Sequence, residues 1–448
     1  MSAGEPTGAS GLAGRPPQPG ATPALQRCIG IPAGEFARRH WAQRPLLTKV
    51  AAPAEPGSVP AVDGFGDFTD LFSAAAVDEL ISVRGLRTPF LRMAKDGSVL
   101  ATSTFTRGGG AGATIADQVA DDKVLGQLAA GATLVLQALH RTWPPLVRFG
   151  SELAAELGHP VQINAYVTPA QNQGFAPHYD THDVFVLQIA GTKRWRIHEP
   201  VLADPLPHQT WDARREQVRT RAAQEPVIDT LLEPGDALYL PRGYLHSAVA
   251  QGELSIHLTI GVHPLTGYDL ARELIAAAEG DRDLRRSLPL GVDVTDVDAM
   301  AGHLRTAAAR LTARLNQVDA DHYAAAARRV GRQQVGQTRP APIAPLAQLA
   351  AITGLGPDTP LVLRPGLRPG LRPASGAWVL DLVDSTVTWP EQAHAALLVV
   401  VAGKEFTPGQ LPNLDADEQL VIARRLVREG IVVPVGATGV DAAGADGS

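Results

Sequence analysis

The sequence predicts an α+β protein in which a β-rich jelly roll comes first and helices follow. Three observations carry that expectation. Short β-prone runs separated by Gly/Pro turns fill the region from about Asn164 to Gly261, helical spacing takes over after Pro264, and a capped helix stands near the C-terminus.

In chain order, Asn164–Thr168 reads as a strand. Asp183–Ala190 and Lys193–His198 flank Gly191-Thr192, and a Gly-x pair between two β-prone runs predicts a two-residue hairpin turn. Glu233–Asp236 is a turn, Ala237–Leu240 a short strand and Pro241–Gly243 another turn; Tyr244–Val249 and Leu254–Gly261 are the next two strands. Many short strands with such turns indicate a sandwich or barrel, the jelly roll among them. Helical spacing then covers Tyr268–Glu279, and Val297, Met300, Leu304, Leu311, Leu315 and Val318 form one apolar stripe. Gln337–Pro345 is a linker, and Leu346–Ile352 a helix. The repeat Arg364-Pro-Gly-Leu-Arg368-Pro-Gly-Leu-Arg372-Pro excludes a helix interior or a central strand and reads as an extended, solvated loop. Asp415 and Glu418 form a capping box for a helix ending at Gly430, with Val432-Val-Pro as a following strand. Arg424, Arg425 and Arg428 give that helix a basic face, which acids at its start offset.

Bulk properties narrow the function. At 448 residues with 45% hydrophobic content the chain is long enough for two or three domains with real cores. A net charge of −6 gives no overall drive towards nucleic acid or anionic membranes, although a direct nucleic-acid contact stays open. The single cysteine, Cys28, excludes an internal disulfide and suits a reducing cytoplasm. No charged start precedes an apolar run, and Ala395–Ala402 is too short to span a bilayer, so a soluble cytoplasmic protein is expected. Composition predicts disordered tails at 1–24 and 437–448.

The chemistry concentrates in His178-Tyr-Asp180 and in His246, 68 residues after His178. On a strand, residues i and i+2 share a face, so His178 and Asp180 can reach one ion together. With a distant histidine they make the two-imidazole, one-carboxylate set of a mononuclear non-haem Fe(II) centre, which leaves half the octahedron open. His182 and Asp183 lie just past the motif, but their register suits neighbours rather than ligands; His257 reads as a hydrogen-bonded core histidine beside the cavity.

Gln173-Gly-Phe-Ala-Pro-His-Tyr-Asp180, Phe185-Val-Leu-Gln-Ile-Ala-Gly-Thr-Lys-Arg-Trp-Arg196, Gly235–His246 and Ser255–Ile260 resemble the JmjC-type ribosomal oxygenases, which are Fe(II)- and 2-oxoglutarate-dependent protein hydroxylases. Phe36–Leu47 and Arg87–Arg92 resemble the family's opening segments, so the likeness covers most of the chain. The resemblance implies a double-stranded β-helix (cupin/JmjC jelly roll) at 25–265, a helical dimerisation region at 266–336 and a winged-helix-like domain at 337–436. It implies that His178, Asp180 and His246 bind Fe(II), and that Lys193 grips the distal carboxylate of 2-oxoglutarate. A buried carboxylate needs such a cation. Asn164 and Tyr166, and more loosely Thr259, match pocket positions that contact the cosubstrate region; for these three a structural role inside the barrel stays open. The implied substrate is a histidine or arginine side chain of a ribosomal protein, and the implied assembly a homodimer. Gly261 departs from the serine that human-type relatives tend to carry, so the target cannot be carried over; lysine rather than arginine at 193 leans towards histidine. The alternatives are a small-molecule 2-oxoglutarate oxygenase and a metal-binding cupin-like regulator without turnover.

Overall fold

Alternating side chains and a bend in two long strands decide how the barrel is laid. The computed structural model describes residues 22–50, 59–60, 65–95, 97–112, 114–172, 175–382 and 384–436; the tails expected to be disordered lie outside these, apart from 22–24. Eight strands matter for the site: β1 (Leu46–Lys49), β2 (Leu91–Lys95), β3 (Thr133–Leu136), β4 (Val161–Thr168), β5 (Asp183–His198), β6 (Ile228–Leu232), β7 (Ala237–Leu240) and β8 (Leu245–Val262). They belong to a ten-stranded sheet in the order β1–β7–β5–β8–β4–β3–β2, with β6 on β5 and the short strands Val59–Pro60 and Ser98–Val99 at its ends. All pairings among the eight are antiparallel.

β5 and β8, 16 and 18 residues long, pair with each other twice. Asp183–Ala190 runs against Ile256–Val262 and Thr192–His198 against Leu245–Gln251, with register shifts between the two stretches. The hairpin expected at Gly191-Thr192 is therefore not formed: a hairpin would fold 183–190 onto 193–198, and both are already taken by β8. The strands expected at 244–249 and 254–261 are likewise one. Gly191 has φ +58°, and a Cβ there would run into the Leu254 carbonyl, so glycine supplies the bend rather than a turn.

Register then sorts the side chains. Ile163, Ala165 and Val167 of β4, Ile256, Leu258, Ile260 and Val262 of β8, and Phe185 and Leu187 of β5 join Phe36, Phe72, Leu134 and Leu136 in the main apolar core. Each such aliphatic or aromatic side chain contributes about 1.5–3 kcal/mol. A second cluster, Val184, Val186, Trp195, Ile197, Leu232, Leu238 and Leu240, packs the other side of β5.

The chain divides into two compact units, one of residues 1–263, 340–367 and 392–448 and the other of 264–339 and 368–391. In the second unit, helices span Gly267–Ala276, Val297–Leu315 and Ala320–Gln337. Asp296 and Asp319 cap the last two. No residue of Val297–Leu315 is buried: of the expected apolar stripe Val297 and Leu304 are 78% and 65% exposed, and Met300, Leu311 and Leu315 are half-buried. Val318 falls after that helix. The arginine repeat is not a free loop: Gly370–Ala374 is an edge strand in which Arg372 pairs with Asp381 at 2.8 Å. In the first unit, Arg364 Nε donates to Ala341 O at 2.6 Å. The same unit holds helices Pro345–Gly354 and Ala416–Arg428, the latter with its Asp415/Glu418 capping box, and Leu361–Leu363 pairs with Val432–Pro434.

Gly191→Ala should lower stability by about 1 kcal/mol or more, read as a lower urea or thermal midpoint. An unchanged midpoint would show that the bend accepts a side chain.

Candidate metal centre

The two histidines of the candidate triad face each other across an isolated antiparallel bridge. His178 N donates to His246 O at 3.2 Å and His246 N to His178 O at 2.8 Å. Directly opposed residues project to one side, and the two imidazole centroids are 4.4 Å apart. Asp180, two residues on, returns to that side. The intervening Tyr179 is buried with Val218 and Leu245, its hydroxyl donating to Gln209 O at 2.8 Å. Gly243 N donates to Asp180 O at 3.0 Å, which ties the turn before β8 to the ligand loop. That turn needs glycine: Gly243 has φ +90°, and the Leu202 carbonyl fills the place of a Cβ.

Main-chain carbonyls set the ring tautomers. Nδ1 of His178 lies 2.8 Å from Ala176 O, and Nδ1 of His246 lies 3.2 Å from Tyr244 O. A carbonyl only accepts, so each Nδ1 carries the proton and each Nε2 lone pair is left for a metal. Burial, with His178 alongside, pushes the His246 imidazolium down to about 4, which keeps the ring neutral. Burial pushes the Asp180 carboxyl up, but His182, His246, His178 and Arg92 outweigh it and hold the group below its ordinary value. One ligand atom from each of the three lies within 4.8 Å of the others. Two neutral imidazoles and a carboxylate on one side of a cavity suit a divalent first-row metal with vacant positions opposite.

That cavity measures about 250 Å³. Lys193 lies in its wall at 4% exposure, its Nζ donating to Thr168 Oγ1 at 3.1 Å, which in turn is 3.3 Å from Thr133 Oγ1. Among the described residues no carboxylate pairs with this ammonium, and burial brings it down to about 7. A buried cation served by one hydroxyl is costly unless an anion completes it.

The other candidates separate. Tyr166 and Thr259 line the cavity. Asn164 is not among the lining residues; its Oδ1 accepts from Ala138 N at 3.0 Å and Gln162 Nε2 at 3.4 Å, in keeping with the structural role left open for it. Asp183 accepts from the Tyr239 hydroxyl and from Arg242 N, both at 2.9 Å, and is no ligand. His182 stacks on His263 at 5.1 Å and occupies the space a side chain at Gly261 would need. His257 lines the cavity, but its Nδ1 has no hydrogen-bond partner, unlike the bonded core histidine expected. Thr168, which holds Lys193, was not singled out in the sequence, although it is the next step in the alternation begun by Asn164 and Tyr166. Arg92, Trp195 and Trp211 also line the cavity without having been singled out.

Asp180→Ala should weaken Mn(II) binding by at least about a hundredfold, measured by calorimetry or by the spectrum of the bound ion. Retained affinity would put the metal elsewhere.

Residues 145–270 match the model of the JmjC domain. The mouse protein "Ribosomal oxygenase 2" is 35% identical over 206 residues, 42% of this chain and 42% of its own. Rat "Ribosomal oxygenase 1" is 36% identical over 167 residues, 36% of this chain and 28% of its own. The "Bifunctional lysine-specific demethylase and histidyl-hydroxylase NO66" of Drosophila erecta is 41% identical over 138 residues, 29% of this chain and 20% of its own. The chain thus spans less than half the length of these curated relatives. The crystal structure of the Escherichia coli ribosomal oxygenase YcfD aligns over 91% of this chain and 99% of its own, at 18% identity and a TM-score of 0.47. Residues 145–270 thus match the JmjC domain, and over part of its length the chain is similar to proteins named ribosomal oxygenases.

Proposed function

We propose that the protein is an Fe(II)- and 2-oxoglutarate-dependent dioxygenase that hydroxylates a side chain of a ribosomal protein and releases succinate and carbon dioxide. The observation that supports this over a plain metal-binding barrel is Lys193, a buried ammonium without a carboxylate, in the same cavity as the triad. A barrel that only held metal would have no use for that charge. Bound iron would supply the coupling of dioxygen reduction to decarboxylation of the keto acid, chemistry that side chains lack.

The chain's own residues do the rest. His178, Asp180 and His246 hold one side of the ion through two neutral rings and one charged oxygen. Lys193, steadied by Thr168, receives the distal carboxylate. Trp195, Tyr166 and Phe175 wall the cavity and keep water from the reacting centre. Lysine at 193 favours histidine as the target side chain, in keeping with the histidyl-hydroxylase in the name of one relative, and arginine is the alternative. The exposed apolar residues Val297, Leu304 and Tyr323 of the helical region fit a second copy of the chain, hence a homodimer. On this reading 25–265 is catalytic, 266–336 makes the dimer and 337–436 is winged-helix-like. A single buried Cys28 suits the cytoplasm.

Comparing ribosomal proteins from wild-type and deletion strains by mass spectrometry should reveal one protein lighter by one oxygen in the deletion. Identical masses throughout would remove the ribosomal substrate. Lys193→Ala should weaken 2-oxoglutarate binding by roughly a hundredfold or more at unchanged metal affinity. Because the free ammonium titrates near 7 and a bound carboxylate would raise that value, affinity should be flat below pH 7 and fall by about tenfold per unit above it. Lys193→Arg, permanently charged, should remove the slope; a slope that persists would assign it to another group.

A further inference from the structure

Arg92 is on β2, and the sheet register sets it opposite Val135 of β3, which is opposite Tyr166 of β4. Directly opposed residues project to one side of a sheet, so Arg92 and Tyr166 share a face with a valine between them. The valine is short enough for the arginine to reach over it. Arg92 Cζ lies 5.5 Å from the centroid of the Phe175 ring, and that ring is 6.1 Å from the Tyr166 and His178 rings alike. All four residues line the cavity. Burial pushes the Tyr166 hydroxyl up, while the Arg92 charge and its hydrogen bond to that hydroxyl pull the other way. The guanidinium is thus held in the wall beside a metal ligand. Among the described residues that line the cavity, Asp180 is the one carboxylate, against the two cations Arg92 and Lys193. No described carboxylate forms an ion pair with Arg92.

We infer that Arg92 sets the charge class of the target: the loaded cavity takes an uncharged side chain and turns away arginine and lysine, methylated or not. The inference rests on the 2-oxoglutarate reading above. With a divalent ion and the keto-acid dianion in place, those two, Asp180 and Lys193 cancel one another. The Arg92 charge is left over. Phe175, Trp195, Trp211 and Leu240 wall the same cavity, and a charge among apolar walls is poorly screened. A cationic target entering there would shed its water beside a like charge, with no free carboxylate to take the water's place. An uncharged side chain bearing an acceptor atom meets a guanidinium that can only donate. Neutral histidine satisfies that condition, and the arginine alternative is set aside.

The test uses the full chain loaded anaerobically with Mn(II) and 2-oxoglutarate. The probes are the N-acetyl methylamides of citrulline and arginine, which match in shape and differ in charge. Broadening of probe protons by the bound Mn(II), set against a Zn(II) control, reports residence beside the metal. Wild type should hold the citrulline probe at least about tenfold more tightly than the arginine probe. Arg92→Met, which keeps an unbranched stem on Phe175, should bring the two within about threefold, and Arg92→Lys, which keeps the charge, should preserve the preference. Equal or tighter binding of arginine by wild type, no broadening of either probe, or a preference that survives Arg92→Met would overturn the inference. If the methionine variant does not fold, Arg92→Gln takes its place, and the wild-type comparison can overturn the inference without any variant. A wild-type protein that takes Mn(II) but no 2-oxoglutarate would overturn the oxygenase reading and the inference with it. Normal 2-oxoglutarate binding without discrimination between the probes would overturn the inference alone.

Discussion

Everything chemical in this molecule depends on β5 and β8 hydrogen-bonding to each other on both sides of one bend. Neither strand carries a complete site. β5 brings Lys193 and Trp195 from its second half, and β8 brings His246 from its first half and His257 and Thr259 from its second. Because the ladder continues across the bend, residues far apart along each strand line one cavity. Apolar residues at the alternate positions lock the arrangement: a one-residue slip of β8 would send Leu258 or Ile260 towards the cavity and His257 into the core.

The arrangement has a cost, and part of it falls where the chemistry is. Arg92 Nε, Trp195 Nε1 and His257 Nδ1 are buried without partners, and all three residues line the cavity. Lys193 adds a nearly dry ammonium. Elsewhere, buried ions are well served: Asp236 accepts from Lys49 Nζ, Val50 N and Glu233 N. Gln26 Nε2, Gln188 Oε1 and Arg242 Nε, outside the lining, are unpaired as well, so what sets the hollow apart is that three such atoms and a buried ammonium share one cavity.

The triad was legible because its signal is local: two residues on one face of an extended segment, and a distant histidine with a Gly/Pro turn before it. The depth of each residue was not legible. Asn164 and Tyr166 share a face of β4, yet Tyr166 lines the cavity and Asn164, whose Oδ1 accepts from Ala138 N, does not. Alternation gives the face and says nothing about how far along it the hollow extends. The Gly191-Thr192 misreading has a related origin. A glycine of positive φ between β-prone runs looks the same whether the chain reverses or bends, and only the partner strand decides. Helix Ala320–Gln337 falls within the helical region expected at 266–336, although its bounds are not marked by a single apolar run. The family likeness supplied the role of Lys193; without it, a lysine at a strand position reads as solvated.

The bridge between His178 and His246 is made by peptide groups, and their Nδ1 protons are held by peptide carbonyls. No part of that scaffold uses an ion. Main-chain hydrogen bonds orient both rings, and a set of two imidazoles and one carboxylate accepts several divalent first-row ions. Cobalt, nickel or zinc would fit and, by the ordinary ranking of divalent affinities, would often hold on harder than ferrous iron. For such a donor set, which ions are available weighs on loading alongside geometry and ligand type.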